Sequence, residues 1–212
     1  MSAFELAARV AGVCALVFVA AAWRMRNDPP LVPLTLAATT AQAKSAIREG
    51  FRTSIDHDRF FIIAYTLMFL GYAVLHWLQR ARGATVLAIA TAVFTIATMA
   101  FDLAENRAVL HAIDVKNVES RALYAFAALK FLSFFVVLLL SAPLFMRTSR
   151  LMWIIGALFV LAGAIGLIAS VSLGFTAAWS GFVGKWLSAA GGPLLIATVI
   201  FLFRPSALLP LR

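Results

Sequence analysis

Cysteine is almost missing. Cys14 is the only one in 212 residues, so an internal disulfide, a CxxC redox pair and a cysteine-based zinc site are all excluded. Its place in the middle of an apolar segment suits an inert, buried thiol. Charge is scarce too. Charged residues make up 13% of the chain, against about a quarter in soluble globular domains, which excludes an ordinary water-surrounded domain. Acids are the scarcer sign, nine against 18 Lys and Arg. Histidine occurs three times, with no HxxxH or HExxH spacing, and only His76 falls inside an apolar segment, near its end. Haem held between helices is therefore not expected. GxSxG, the P-loop and the dinucleotide fingerprint are absent, as are internal repeats and low-complexity tracts. No cofactor is expected.

What the chain has in abundance is apolar length. It is 63% hydrophobic with a mean hydropathy of +0.96. Crossing roughly 30 Å of hydrocarbon takes about 20 residues of helix, and six segments are long enough: about 4–23, 58–79, 84–107, 122–146, 151–174 and 180–204. Inside a bilayer the backbone must satisfy its own polar groups, which selects helices here. The expected fold is an all-α integral membrane bundle of about six transmembrane helices in a single polytopic domain. "AAA" at 20–22 resembles a cleavage site, but the thin positive charge before the first segment and the "WRMR" after it favour a retained span.

The basic residues sit between or at the ends of spans, as "RMR" (24–26), "RAR" (80–82) and "RTSR" (147–150). That placement fits lipid-headgroup anchors and not a nucleic-acid face, so membrane lipids are the expected partners. Threading six spans sorts the charges onto two faces. Face A holds both termini, short arginine-only turns and Glu5 as its one acid; face B receives the other eight acids and every complicated loop. Raw Lys and Arg counts favour B as cytoplasmic, whereas the tight basic turns favour A. Both termini are expected in the cytoplasm, with the chain in a bacterial inner (plasma) membrane.

Between the first two spans, "NDPPLVP" (27–33) cannot be regular helix. After it the spacing of Ala43, Ile47, Phe51 and Ile55 predicts an amphipathic helix over 36–55, lying in the interface. The fifth span carries Gly156, Gly163, Gly166 and Gly174, with Ala162, Gly166 and Ser170 in small-xxx-small spacing. Packing within the chain is the expectation, and a homodimer through this glycine-rich span is the alternative. "AAGGPLL" (189–195) kinks or breaks the sixth span.

The third span ends on "TIATMAFDLAENRAVLH" (95–111), where Asp102, Glu105, Asn106 and Arg107 interrupt an apolar run. Steps of three and four put Thr91, Thr95, Thr98, Asp102, Glu105 and Asn106 on one helix face. An ionised acid in hydrocarbon costs about 2.5–3.5 kcal/mol at the bilayer centre and less near its edge, so this face must meet other helices. In the second span Asp58, Tyr65, Tyr72 and His76 share a face, and Lys130 in the fourth span lies at the depth of Asp102. A pair between Lys130 and Asp102 or Glu105 offsets the desolvation of both.

Three roles fit such a cluster. The preferred one is a polar intramembrane pocket between spans two, three and four, opening on face B, that binds and in one version processes a lipid-like or hydrophobic small molecule. Asp102 and Glu105 form its candidate acid/base pair, with Asn106, Lys130, Asp58, Tyr65, Tyr72 and Arg107 as binding residues. One alternative is a small proton- or ion-coupled transporter. The other is a structural protein whose polar cluster only fixes helix packing. Whether the chain is an enzyme stays open. A metal held by His57, Asp58 and His111 is a weak further alternative, because neighbours in a run point in different directions.

Overall fold

The computed structural model describes residues 1–25, 51–79, 83–115, 120–146, 150–173, 197 and 199–205. The described residues are all-helical, and five helices among them are long and apolar enough to cross a membrane. They are α1 (Ala3–Met25), α2 (Phe51–Gln79), α3 (Ala84–Val115), α4 (Ser120–Met146) and α5 (Arg150–Leu173). The chain is an integral membrane protein with an all-α bundle. Of the expected sixth span only 197 and 199–204 are described, and residues 36–50 of the expected interfacial helix also lie outside the described residues.

Two helices run past the apolar segments that announced them. Among the described residues α2 already runs from Phe51 and not from near 58, and α3 continues to Val115 and not 107. No glycine or proline interrupts 51–58 or 108–115, and a helix satisfies its own backbone whether its side chains face lipid or water. α1 starts on a reciprocal cap: the Glu5 amide donates to Ser2 Oγ at 3.2 Å, and the Ser2 amide to Glu5 Oε2 at 2.8 Å.

Exposed side chains mark the bilayer. Phe60 on α2, Leu103 on α3, Leu129 on α4 and Trp23 on α1 end the continuous exposed apolar surface on side B, with Val115 a lone exposed apolar residue beyond it; Trp77 and Trp153 mark side A. From Phe60 to Trp77 the helix rises about 26 Å, close to a hydrocarbon core of roughly 30 Å. Beyond this boundary the outward residues of α2 to α4 become charged: Arg59, Asp56 and Arg52; Arg107 and Asp114; Arg121. α3 alone, at 32 residues, is about 48 Å long, so the B-side ends of α2, α3 and α4 stand together outside the hydrocarbon.

Consecutive helices pack against each other, and α2 also touches α4. α1 offers α2 a narrow stripe of Ala8, Ala11 and Ala15. The main core joins α1, α2, α4, α5 and Phe201 around an aromatic group in which Tyr72, Phe145, Phe159 and Phe201 lie ring against ring. The glycines of α5 face α4. A Cβ on Gly163 would fall 2.8 Å from the Phe135 carbonyl oxygen, and one on Gly156 would fall 2.9 Å from that of Ala142. Such approach needs glycine. The small face of α5 is thus occupied within the chain, and its outward face carries Trp153, Ile154, Leu161 and Ile168. On its other side α4 meets α2: His76 Nε2 donates to the Leu140 carbonyl at 3.0 Å and Gln79 Nε2 to that of Leu144 at 3.2 Å. These bonds flank Pro143, whose missing N–H disturbs the local ladder.

Candidate functional site

α3 reverses the usual polarity of a helix. Val86, Ile89, Val93, Ile96 and Leu103 point outward, and Thr91, Thr95, Thr98, Asp102, Glu105 and Asn106 are buried. In lipid this is the stable arrangement, because only other helices can answer the polar groups.

The answer comes from α2 and α4. Lys130 Nζ donates to Asp102 Oδ1 at 3.0 Å and also pairs with Glu105. Tyr65 Oη donates to Asp102 Oδ2 at 3.0 Å, and Asn106 Nδ2 to Asp58 Oδ2 at 2.7 Å. Glu105 and Asn106 follow Asp102 by one helical turn, which puts all three on the inward face. Tyr65 lies two turns beyond Asp58, toward side A. It reaches the same cluster because Cα–Cβ bonds tilt toward a helix N-terminus, which for α2 is the B end.

One turn further in, the Thr98 hydroxyl donates to Ser133 Oγ at 2.9 Å, and Ser133 donates to the Leu129 carbonyl at 2.8 Å. This contact ties α3 to α4 one turn from Lys130. Asp102, Glu105 and Asn106 are 3–4% exposed, whereas the Lys130 side chain is 17% exposed. Lys130 Nζ also lies 4.9 Å from the Phe131 ring centroid. Phe61 carries the aromatic surface from Tyr65 to Phe18 on α1, with centroids 5.7 and 4.8 Å apart.

Apolar layers close the cluster at both ends. Phe51, Ile55, Val109, Ala112 and Leu123 cover it toward side B. Phe69 and Phe134, 5.9 Å apart, join α2 to α4 on the other side. Among the described residues the helices continue past the cluster toward side B and bury a second small core there. The cluster's partly exposed members, Asp58 and Lys130, lie at the depth of Phe60 and Leu129.

Of the residues singled out from sequence, Asp58, Tyr65, Asp102, Glu105, Asn106 and Lys130 come together. Tyr72 does not. It lies about 10 Å deeper than Tyr65, stacked 5.4 Å from Phe201, and its hydroxyl has no hydrogen-bond partner among the described residues. Arg107 points outward from α3. The histidines do not join Asp58: Arg24 Nε donates to His57 Nε2 at 3.2 Å, His111 is exposed, and no metal-sized group of ligands occurs among the described residues. Ser133 is the member that sequence reasoning missed. Its position three residues after Lys130, on the same face, was the available signal.

As chemistry, the cluster offers carboxylate acceptors beside two donors, an ammonium and a phenol, in surroundings that strengthen every charge interaction. No known protein family, curated protein or solved structure matches this chain.

Proposed function

We propose that the chain binds a lipid-like or hydrophobic small molecule whose polar end docks at the Asp58–Asp102–Glu105–Lys130 cluster, with its apolar part against α2 and α4 in the hydrocarbon. The supporting observation is depth. The cluster lies level with the last lipid-facing residues of α2, α3 and α4, where the polar end of an amphiphile naturally resides. A mixed set of acceptors and donors there, between apolar layers, has the composition of a small-molecule site. If the bound molecule is also transformed, Asp102 and Glu105 are the acid/base pair, and Tyr65 and Lys130 the donors for developing negative charge. The same proposal sets the chain in a bacterial inner membrane with both termini in the cytoplasm, supported by the arginine-only turns of face A.

A purely structural role has its own support, since Lys130 already neutralises two carboxylates internally. Native mass spectrometry of nanodisc-purified protein separates the two. Ligand binding predicts a co-purifying molecule that is lost in Asp102→Asn and Glu105→Gln while both variants stay folded and monodisperse. A structural role predicts no such molecule, and unfolding of both variants.

A further inference from the structure

We propose that the bundle also conducts protons, along α3, between the Lys130 cluster and a second polar layer near side A. The second layer follows from the register of the helices. Asp102, Tyr65 and Lys130 meet at one depth on α3, α2 and α4. Eleven residues further toward side A on the same three helices stand Thr91, His76 and Ser141. That interval is close to three full turns, so these side chains share the inward faces of the cluster, about 16 Å away along the axis. All three are fully buried. The bond from His76 Nε2 to the carbonyl of Leu140, the neighbour of Ser141, holds α2 and α4 at the same level. His76 precedes Trp77, which marks side A, so each layer lies near one edge of the hydrocarbon.

Phe69 and Phe134 close the direct route between α2 and α4. α3 offers another, because Thr98, Thr95 and Thr91 continue from Asp102 in steps of four, three and four, about 5–6 Å apart. One water spans such a gap with two hydrogen bonds. The Thr98 and Thr95 hydroxyls donate to the Phe94 and Thr91 carbonyls at 2.8 and 2.7 Å, which leaves their oxygens able to accept. Thr91 supplies the observation that calls for water. Its hydroxyl is buried and has no hydrogen-bond partner among the described residues, although a helical threonine can satisfy itself on the preceding turn. Such an unmatched group is costly, and a buried water is its usual answer. In the transfer, the His76 imidazole takes up a proton on one nitrogen and releases one from the other. Each water and hydroxyl then accepts one proton and passes one on. Asp102 receives the last, and the cluster releases it on side B. Ionisable groups buried in this way are the usual parts of a proton relay through a membrane.

The test uses full-length protein in phosphatidylcholine vesicles loaded with a pH-sensitive dye, with proton entry driven by a potassium diffusion potential set by valinomycin. Protein-containing vesicles should acidify faster than protein-free ones. Thr91→Val, which keeps the side-chain shape and removes the hydroxyl, should return the rate to that of protein-free vesicles, whereas Thr91→Ser should keep it. Because no protein hydrogen bond is lost, Thr91→Val should hold the thermal midpoint of the parent. Thr53→Val, at an exposed threonine of α2 beyond the bilayer boundary, should conduct like the parent. Acidification no faster than in protein-free vesicles overturns the inference, as does a Thr91→Val variant that conducts like the parent. A lowered midpoint for Thr91→Val also overturns it, because the hydroxyl would then have a structural partner. Each of these outcomes leaves the proposed ligand site standing.

Discussion

The two halves of the bundle are held by different physics. On the B side α2, α3 and α4 meet through charge and hydrogen bonds, with Lys130 between Asp102 and Glu105, Tyr65 on Asp102, and Asn106 on Asp58. On the A side α2, α4 and α5 meet mainly through aromatic rings and bare backbone, with Tyr72 among Phe145, Phe159 and Phe201 and the glycines of α5 against the carbonyls of Phe135 and Ala142; the polar contacts there are uncharged hydrogen bonds from His76 and Gln79 to α4 carbonyls. Lipid tails are as apolar as leucine, so burying apolar surface does little to associate helices there. Close van der Waals contact and polar pairing remain. The B half relies on buried charge and the A half mainly on close contact, and the two should fail differently.

The sharpest break is expected at Lys130. Lys130→Met leaves Asp102 and Glu105 buried without their cation, which should cost about 3–5 kcal/mol, read as a large drop in the thermal midpoint in detergent. Lys130→Met combined with Asp102→Asn and Glu105→Gln should recover most of that loss. If it does not, the charges are not what holds the B half.

Next comes the A half. Gly163→Val forces a side chain onto the Phe135 carbonyl and should destabilise by about 1–3 kcal/mol through overpacking, independent of salt and pH. A salt-dependent loss would blur the contrast between the halves.

The two buried tyrosines make a finer comparison. Tyr65→Phe removes a donor from Asp102 and should cost about 1–3 kcal/mol, as for hydrogen bonds to charged groups. Tyr72→Phe removes a hydroxyl with no partner among the described residues and should be neutral or slightly stabilising. Equal effects in equilibrium unfolding would show that both hydroxyls matter alike.

The smallest effect is expected outside the bilayer. Arg52 and Asp114 are paired but more than half exposed, so Arg52→Ala should change stability by less than about 1 kcal/mol, with high salt removing most of that.

The sequence announced the B half more clearly than the A half. A buried acid in an apolar helix is costly enough to demand a partner, so Asp102 and Lys130 could be matched by depth alone. Asn106 on Asp58 and Tyr65 on Asp102 follow from helical spacing once α2 and α3 are antiparallel. Tyr72 shared that spacing with Tyr65, yet residues on one helix face can still meet different helices at different depths. Hydropathy reports where lipid stops, not where a helix stops, so the stretches of α2 and α3 outside the bilayer are not legible from it. Phe51 and Ile55 are legible as an apolar stripe, but their packing against Val109 and Leu123 is not. The glycines of α5 were visible as a stripe, but nothing in their spacing said that α4 would cover them.

The inverted polarity of α3 also bears on how the chain is made. During synthesis α3 is complete some 15 residues before Lys130 emerges. In that interval it must either carry two carboxylates to the edge of the acyl chains alone or wait at the insertion machinery. α3 is therefore a dependent helix, whose stable entry is completed by the one that follows it. Stopping translation between Val115 and Lys130 should leave a product that slips out of the bilayer, although its first two helices are already in place.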